Sequence, residues 1–120
     1  MILVDDLASV DIIRRGRPVR FHASLEFGAN VNFVAPRPEG GWAIRTYERG
    51  VEGETLACGT GNVAAAIMLK EWGLVEGDQV VLYPKSGKPL TVTLCRDGDA
   101  WLPSLRGEGR LVYRGELETL

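Results

Sequence analysis

The sequence predicts an α+β fold in which a curved, mostly antiparallel sheet, a half-barrel, wraps around one central buried helix. Short apolar runs follow one another at turn-length spacing, which favours antiparallel strand pairing. Glycine and proline, 15 and 6 residues in number, separate these runs. One segment, residues 62–72, is apolar on nearly every side, which is typical of a helix buried all round. With 120 residues, the chain is expected to form a single domain over 1–120.

Strands are predicted wherever β-branched, aromatic or alternating residues are bounded by turn signals. These candidates are Met1–Val4, Asn30–Ala35, Trp42–Tyr47, Val80–Tyr83, Leu90–Cys95, Trp101–Leu102 and Leu111–Tyr113. Gly40 and Gly41 should join the second and third into a hairpin, and the turn Lys85–Lys88 should join the fourth and fifth. A helical turn is also expected within Leu7–Arg14.

The central helix is predicted over Asn62–Trp72. Thr60 or Asn62 is expected to cap its N-terminus, because a short polar side chain can accept from a free amide there. Gly73 lies where a left-handed residue commonly ends a helix. The small alanines at 64–66 would let neighbouring strands approach closely, so the helix is expected to lie in the interior.

Composition excludes several classes of function. Lys and Arg number 14 against 16 Asp and Glu, giving a net charge of −2, which offers no electrostatic footprint for nucleic acid or an anionic membrane. No apolar run approaches the roughly 20 residues of a membrane helix. Met1–Asp6 has no signal-peptide pattern. We therefore expect a cytoplasmic protein that binds neither nucleic acid nor membrane.

Few residues are available for acid, base or metal chemistry. The chain has one histidine, His22, and two cysteines, Cys58 and Cys95. Two cysteines are too few for a disulfide scaffold, and a zinc site that used this histidine would need cysteine or carboxylate ligands as well. His22 is expected to be structural, and Cys95, at the end of a strand, to be a filler of core or surface. A free thiol is then a leading candidate for acid–base work.

Cys58 has the most distinctive context, just before Gly59-Thr60-Gly61 and the predicted helix. Free amides and the positive end of a helix dipole favour a thiolate and also bind anions such as carboxylates. Glycines let a ligand approach the backbone closely. This arrangement suits removal of a proton α to a carboxylate. The alternative is that Cys58 is a small buried residue beside a tight turn.

A dinucleotide site is a further interpretation of the same glycines. Gly59–Ala64 fits the loose dinucleotide-binding fingerprint. That motif requires an apolar strand before it and a parallel sheet around it. Glu52–Thr55 is not apolar and the surrounding strands look antiparallel, so the sequence argues against this reading.

The chain resembles the diaminopimelate epimerase family in Glu48-Arg49-Gly50 and in Glu54–Gly61, which reads Glu-Thr-Leu-Ala-Cys-Gly-Thr-Gly. Other segments are similar to the family's linker, its substrate asparagine segment and its closing strand: Leu3–Asp6 with Ser9–Asp11, Gly28–Val34 and Gly107–Leu117. The resemblance covers nearly all 120 residues but only the C-terminal half of the family's length. It implies that the chain corresponds to the C-terminal domain.

This family interconverts L,L- and meso-diaminopimelate with two thiols and without pyridoxal phosphate or metal, so the resemblance implies no cofactor. It implies that Cys58 is one catalytic thiol and that the Gly59 and Thr60 amides bind the α-carboxylate. The other implied substrate-binding residues are Asn30, Glu48 and Arg49. Taken without the resemblance, Glu48 and Arg49 would be a surface ion pair and Asn30 a turn residue.

The second catalytic cysteine of the family is missing. It belongs to the family's N-terminal half, in a Cys-Gly-Asn-Gly segment that nothing here matches. Inversion needs a base on one face of the α-carbon and a separate acid on the other, so one thiol should exchange the proton but invert poorly. Three explanations stay open: half of a longer or split enzyme, a two-fold dimer that brings Cys58 from each copy to one cleft, or an inactive module.

Other functions also stay open. A related isomerase resembling proline racemase or a phenazine-biosynthesis enzyme is one, although Glu48-Arg49-Gly50 favours diaminopimelate. A non-catalytic interaction module is another. The expected partners are a small amino-acid substrate and a second copy of the chain or a separate N-terminal half. If such a partner is missing, apolar surface should be exposed around Cys58.

Overall fold

The computed structural model describes residues 1–119, which form seven strands and two helices. In chain order they are β1 (Ile2–Leu3), α1 (Ile12–Arg20), β2 (Val31–Pro36), β3 (Trp42–Glu48), β4 (Gly53–Thr55), α2 (Gly59–Glu71), β5 (Gln79–Tyr83), β6 (Leu90–Asp97) and β7 (Ala100–Arg106). The strands make one open sheet in the order β1-β2-β3-β5-β6-β7, with β4 added to β3. The pairs β1–β2 and β3–β5 are parallel and the other four antiparallel. The predicted α+β class with a mostly antiparallel sheet is confirmed.

Both predicted strand pairs form. In the hairpin β2–β3, Val34 lies opposite Ile44, and Gly40 and Gly41 reverse the chain with φ of +90° and +73°. These angles lie in the left-handed region that favours glycine, which is why the two-glycine signal was reliable. β5 and β6 pair antiparallel through the predicted turn, and β7 extends the predicted Trp101–Leu102 strand in both directions.

The predicted strand Leu111–Tyr113 is wrong. Residues 107–119 contain no helix or strand, and the side chains of Leu111, Val112 and Tyr113 are 71–83% exposed. The apolar pattern is compatible with a strand, but a strand forms only where a neighbour pairs with its amides and carbonyls. Within residues 1–119, no strand supplies that pairing.

The first helix is longer and later than expected from the sequence. Instead of a turn within Leu7–Arg14, α1 spans Ile12–Arg20. The Asp11 carboxylate caps it by accepting from the Arg14 amide at 3.0 Å. The helix continues through Pro18 and packs Gly16 directly against Tyr47, where a Cβ would lie 2.7 Å from the tyrosine Cβ.

The N-terminus of α2 differs from the prediction in a way that matters for the site. Neither Thr60 nor Asn62 caps the helix, because the helix begins earlier, at Gly59, and Cys58 is the capping residue. The Cys58 side chain makes no capping hydrogen bond. The amides of the first turn have no carbonyl partner within a helix, so they are left available.

The C-terminus of α2 confirms the role predicted for Gly73. Its φ is +70° and its amide donates to the Lys70 carbonyl at 3.0 Å. The Leu74 amide donates to the Leu69 carbonyl at 2.9 Å. This pair of bonds is the Schellman motif that ends a helix on a left-handed glycine.

The two helices pack on opposite faces of β2 and β3, because successive side chains of a strand alternate between faces. On the α2 side, Ala65, Ala66 and Leu69 join a core with Val34, Ile44, Val80, Leu82, Val92 and Leu94. On the α1 side, the core is Val10, Ile12, Val31, Phe33 and Tyr47. Other positions of α2 are less covered: Val63 and Ile67, which also pack against this core, are half-buried, and Ala64 is exposed. The helix is therefore fully buried only on the side that faces the sheet, and not on every side as the sequence predicts.

No helix in the part of the chain that the structure describes is both long and apolar enough to cross a membrane.

Candidate active site

Asn30, the residue before β2, joins two parts of the site. Its Oδ1 accepts from the Arg49 main-chain amide at 2.8 Å, and its Nδ2 donates to Cys58 Sγ at 3.6 Å. Because one amide group serves both contacts, the orientation of the side chain is determined at both ends. Asn30 therefore connects the β3–β4 turn to the thiol at the start of α2.

The Cys58 thiol lies among polar groups although the residue is only 6% exposed. Besides Asn30, its Sγ contacts the Thr60 hydroxyl at 3.5 Å. A Cβ on Gly61 would lie 3.2 Å from Sγ and 2.5 Å from Asn32 Oδ1. The glycine is thus needed for close approach of the first turn of α2 to β2, and that approach fixes where the sulfur lies.

The first turn of α2 offers an anion site beside this thiol. Gly59, Thr60 and Gly61 have amides at the start of the helix with no side-chain cap. Thr60 is exposed and Gly59 half-buried, so a ligand can approach from solvent. Free amides together with the positive end of the helix dipole favour a carboxylate at this position.

Glu48 and Arg49 contact different groups, so in the described residues they do not form the surface ion pair that was the simpler interpretation. The Glu48 carboxylate accepts from the Thr55 hydroxyl at 2.8 Å, and Arg49 Nη1 donates to the Phe27 carbonyl at 3.0 Å. Arg49 is exposed and Glu48 half-buried. Both lie at the end of β3, where the Arg49 amide holds Asn30.

Glu54 belongs to a structural network that the sequence reasoning missed. Arg45 donates two hydrogen bonds to its carboxylate, at 2.6 and 2.9 Å, and Lys85 donates a third at 2.9 Å. These donors hold the pKa of Glu54 below its usual 4.5, with the Arg45 hydrogen bond the largest cause. The network fixes β4, which leads into the segment before Cys58.

A second carboxylate closes the turn between β3 and β4. Glu52 has φ of +57°, rare for a residue with a side chain. It accepts from the Gly50 amide, from Arg20 on α1 and from the Tyr47 hydroxyl. The Gly50 amide is the main reason why the pKa of Glu52 lies below its ordinary value. Helix α1 thereby anchors the turn that presents Arg49.

Segments that adjoin the site carry exposed apolar side chains. Phe27 and Leu56 are 74% and 66% exposed. Leu105 is also exposed and lies against Gly59, where a Cβ would be 3.1 Å from it. We refer to Phe27, Leu56 and Leu105 as the apolar rim.

His22 and Cys95 lie outside these contacts. His22 Nδ1 is 2.8 Å from the Ser24 hydroxyl, within its own loop. Cys95 is an exposed free thiol on β6. The roles predicted for them, structural for His22 and filler for Cys95, stay predictions.

Comparison with known proteins identifies the family. A family model described as diaminopimelate epimerase matches residues 1–112. The chain belongs to the diaminopimelate epimerase family. The diaminopimelate epimerase of Gemmatimonas aurantiaca is 48% identical and aligns with 100% of this chain but 46% of its own length. The proteins of that name from Aquifex aeolicus and Chlorobaculum tepidum are 46% and 42% identical, with 35% and 44% of their lengths covered. The chain thus spans less than half the length of these relatives.

The structure of this diaminopimelate epimerase family member brings most of the predicted site residues together. Asn30, Cys58 and Thr60 are in mutual contact through the thiol, and the Arg49 main chain joins them through Asn30. Gly59 follows the thiol directly in the chain. The Glu48 carboxylate accepts from Thr55, three residues before Cys58 in the chain.

Proposed function

We propose that this chain supplies one of the two thiols of a pyridoxal-phosphate-independent epimerase that converts L,L- to meso-diaminopimelate. The observation that carries the proposal is the position of Cys58. Its sulfur lies at the uncapped N-terminus of α2, in contact with the Asn30 amide and the Thr60 hydroxyl. A base and a carboxylate site are thus side by side, as removal of an α-proton requires.

In this mechanism the substrate α-carboxylate binds to the Gly59 and Thr60 amides. The Cys58 thiolate takes the α-proton, and the electron pair left on the α-carbon delocalises into the carboxylate. The amides stabilise the negative charge that develops there. A second thiol on the opposite face returns a proton to that carbon, which inverts the centre. Glu48 and Arg49 hold the substrate's amino and carboxylate groups, and no cofactor takes part.

The second thiol must come from outside this chain in the proposal. The chain corresponds to the C-terminal domain of the family, and either a separate N-terminal half or a second copy of the chain completes the cleft. Two observations support a missing partner: the apolar rim is exposed, and the chain spans less than half the length of its relatives. The expected compartment is the cytoplasm, where the thiols of Cys58 and Cys95 stay reduced.

Complementation tests the proposal and its partner. The chain would be incubated with L,L-diaminopimelate alone, and also with the N-terminal part of the Gemmatimonas aurantiaca relative that it does not cover. We expect little inversion by a monomer and restored formation of the meso isomer in the mixture. Inversion by the chain alone, together with a dimeric mass on size exclusion, identifies the second copy as the partner.

Substitutions and substrates separate the remaining alternatives. Cys58→Ser should abolish inversion, whereas Cys95→Ser, which removes an exposed thiol on β6, should not. Inversion of proline instead of diaminopimelate would indicate a related isomerase. Absence of inversion in every mixture that forms a stable complex would indicate a non-catalytic module and contradict the proposal.

A further inference from the structure

Asn62 makes an unusual set of hydrogen bonds one helical turn after Cys58. The residue is fully buried. Its main-chain amide donates to the Cys58 carbonyl at 3.0 Å, the ordinary helix bond, and its side-chain Nδ2 donates to the same oxygen at 2.7 Å. Because that oxygen only accepts, the nitrogen of the Asn62 amide must face it.

The oxygen of the same side chain lowers the stability of the fold. Asn62 Oδ1 is buried and has no hydrogen-bond partner in the described residues. A buried acceptor without a partner lowers stability, and such groups are rare in folded proteins. An apolar residue of similar size would avoid this cost. The favourable contact that asparagine adds here is the second bond to the Cys58 carbonyl.

That carbonyl and the Gly59 amide belong to one planar peptide group. Two donors on the oxygen restrict the rotation of the plane, and they polarise it so that the N–H on its other side becomes a stronger donor. The restriction matters because glycine at position 59 leaves the backbone freer than any other residue would.

We infer that Asn62 is a positioning residue: it orients the Gly59 amide toward the substrate carboxylate and makes that amide a stronger hydrogen-bond donor. The inference rests on the proposed function, which assigns that amide to the carboxylate. Asn62 acts through the Cys58–Gly59 peptide and does not itself touch the substrate.

The test compares the full chain with Asn62→Leu, which keeps the size of the side chain and removes its amide. With the chain ¹⁵N-labelled and the N-terminal half of the complementation experiment added unlabelled, amide resonances of Gly59 and of the Asn62 side chain would be followed by ¹⁵N–¹H NMR during titration with meso-diaminopimelate. We expect the Gly59 resonance to differ in Asn62→Leu before any ligand is added. Affinity should fall about fivefold, the effect of one hydrogen bond. The control Ile67→Val, on a half-buried position of α2, should keep the original Gly59 shift and affinity.

The outcomes separate this inference from the proposed function. If Gly59 responds to the ligand equally in the unsubstituted chain and in Asn62→Leu, with equal affinity, the inference is overturned and the proposed function stands. If Gly59 does not respond even in the unsubstituted chain, both fail. If Asn62→Leu does not fold, the unsubstituted chain decides: the Asn62 side-chain resonance must move together with Gly59, and an unmoved resonance overturns the inference.

Discussion

The side-chain amide of Asn30 donates to the thiol of Cys58 across 3.6 Å and accepts from the Arg49 amide at 2.8 Å. The residue before β2 therefore links the turn after β3 to the start of α2. A single side chain thus connects three separate segments of the chain.

Loss of this link should impair proton transfer more than folding. Asn30→Ala removes both contacts, whereas Asn30→Asp keeps an acceptor for Arg49 but places a negative charge beside the thiol and disfavours the thiolate. We expect α-proton exchange to fall roughly 10- to 100-fold in either variant, the effect of losing a hydrogen bond to a charged group. The measurement is deuterium uptake from solvent into diaminopimelate. Full exchange in Asn30→Ala would show that the contact is incidental.

The approach of α2 to β2 depends on the absence of a side chain at Gly61. A Cβ there would lie 2.5 Å from Asn32 Oδ1 and 3.2 Å from Cys58 Sγ. Gly61→Ala should therefore cost about 1–3 kcal/mol of unfolding free energy and displace the thiol. Gly77→Ala is the matched control, because the nearest atom to its Cβ would be 4.0 Å away. Equal denaturation midpoints for the two variants would contradict this packing.

The Glu54 network should make the fold sensitive to acid. The folded-state pKa of Glu54 lies below its usual 4.5. The ionised carboxylate therefore makes its full contribution to the free energy of unfolding at pH values above the unfolded-state pKa. It is then lost as the pH falls through the folded-state value. Glu54→Gln should cost about 1.5–3 kcal/mol at neutral pH and flatten the decline of stability below pH 4.5.

The control for this network is Glu39→Gln, which removes a carboxylate that is 71% exposed and 3.5 Å from Arg37. Exposed pairs contribute little, so its stability should stay close to that of the unsubstituted chain. Urea denaturation at several pH values measures both variants. Parallel curves for Glu54→Gln and the unsubstituted chain below pH 4.5 would argue against the network.

Residues 111–119 should contribute little to the stability of the isolated chain. They form no helix or strand, and their large apolar side chains are exposed. The free energy of unfolding of a chain ending at Arg110 should lie within about 0.5 kcal/mol of the value for the full chain, as for other changes away from packed features. Thermal denaturation checks this, and a substantially lower melting temperature for the shorter chain would show that the segment packs in solution.

Much of the central fold could be predicted because its signals are local. The Gly40-Gly41 reversal and the apolar alternation of β6 specify their pairing with nearby segments. The apolar run and Gly73 predict helix α2, and the glycines after Cys58 predict the candidate site.

The predictions of secondary structure and contacts fail where residues distant in the chain determine the local structure. Helix α1 continues past the predicted turn and through Gly16 and Pro18 because the Asp11 cap and packing on Tyr47 sustain it. The capping residue of α2 was misplaced because the helix begins before its first apolar residue. Leu111–Tyr113 has the pattern of a strand, but pairing requires a neighbour that local sequence does not reveal. The bonds from Arg45 and Lys85 to Glu54 depend on tertiary contact in the same way.

Deuterium exchange at the α-carbon of diaminopimelate tests the role of Cys58 most directly, because one base suffices for it even where inversion needs two. In D₂O, the full chain and Cys95→Ser, each mixed with an N-terminal half whose own catalytic cysteine is replaced by alanine, should introduce deuterium at equal rates, and Cys58→Ala in the same mixture should introduce none above background. Equal uptake by Cys58→Ala, or none by any of them, would contradict the assignment of this thiol as the base.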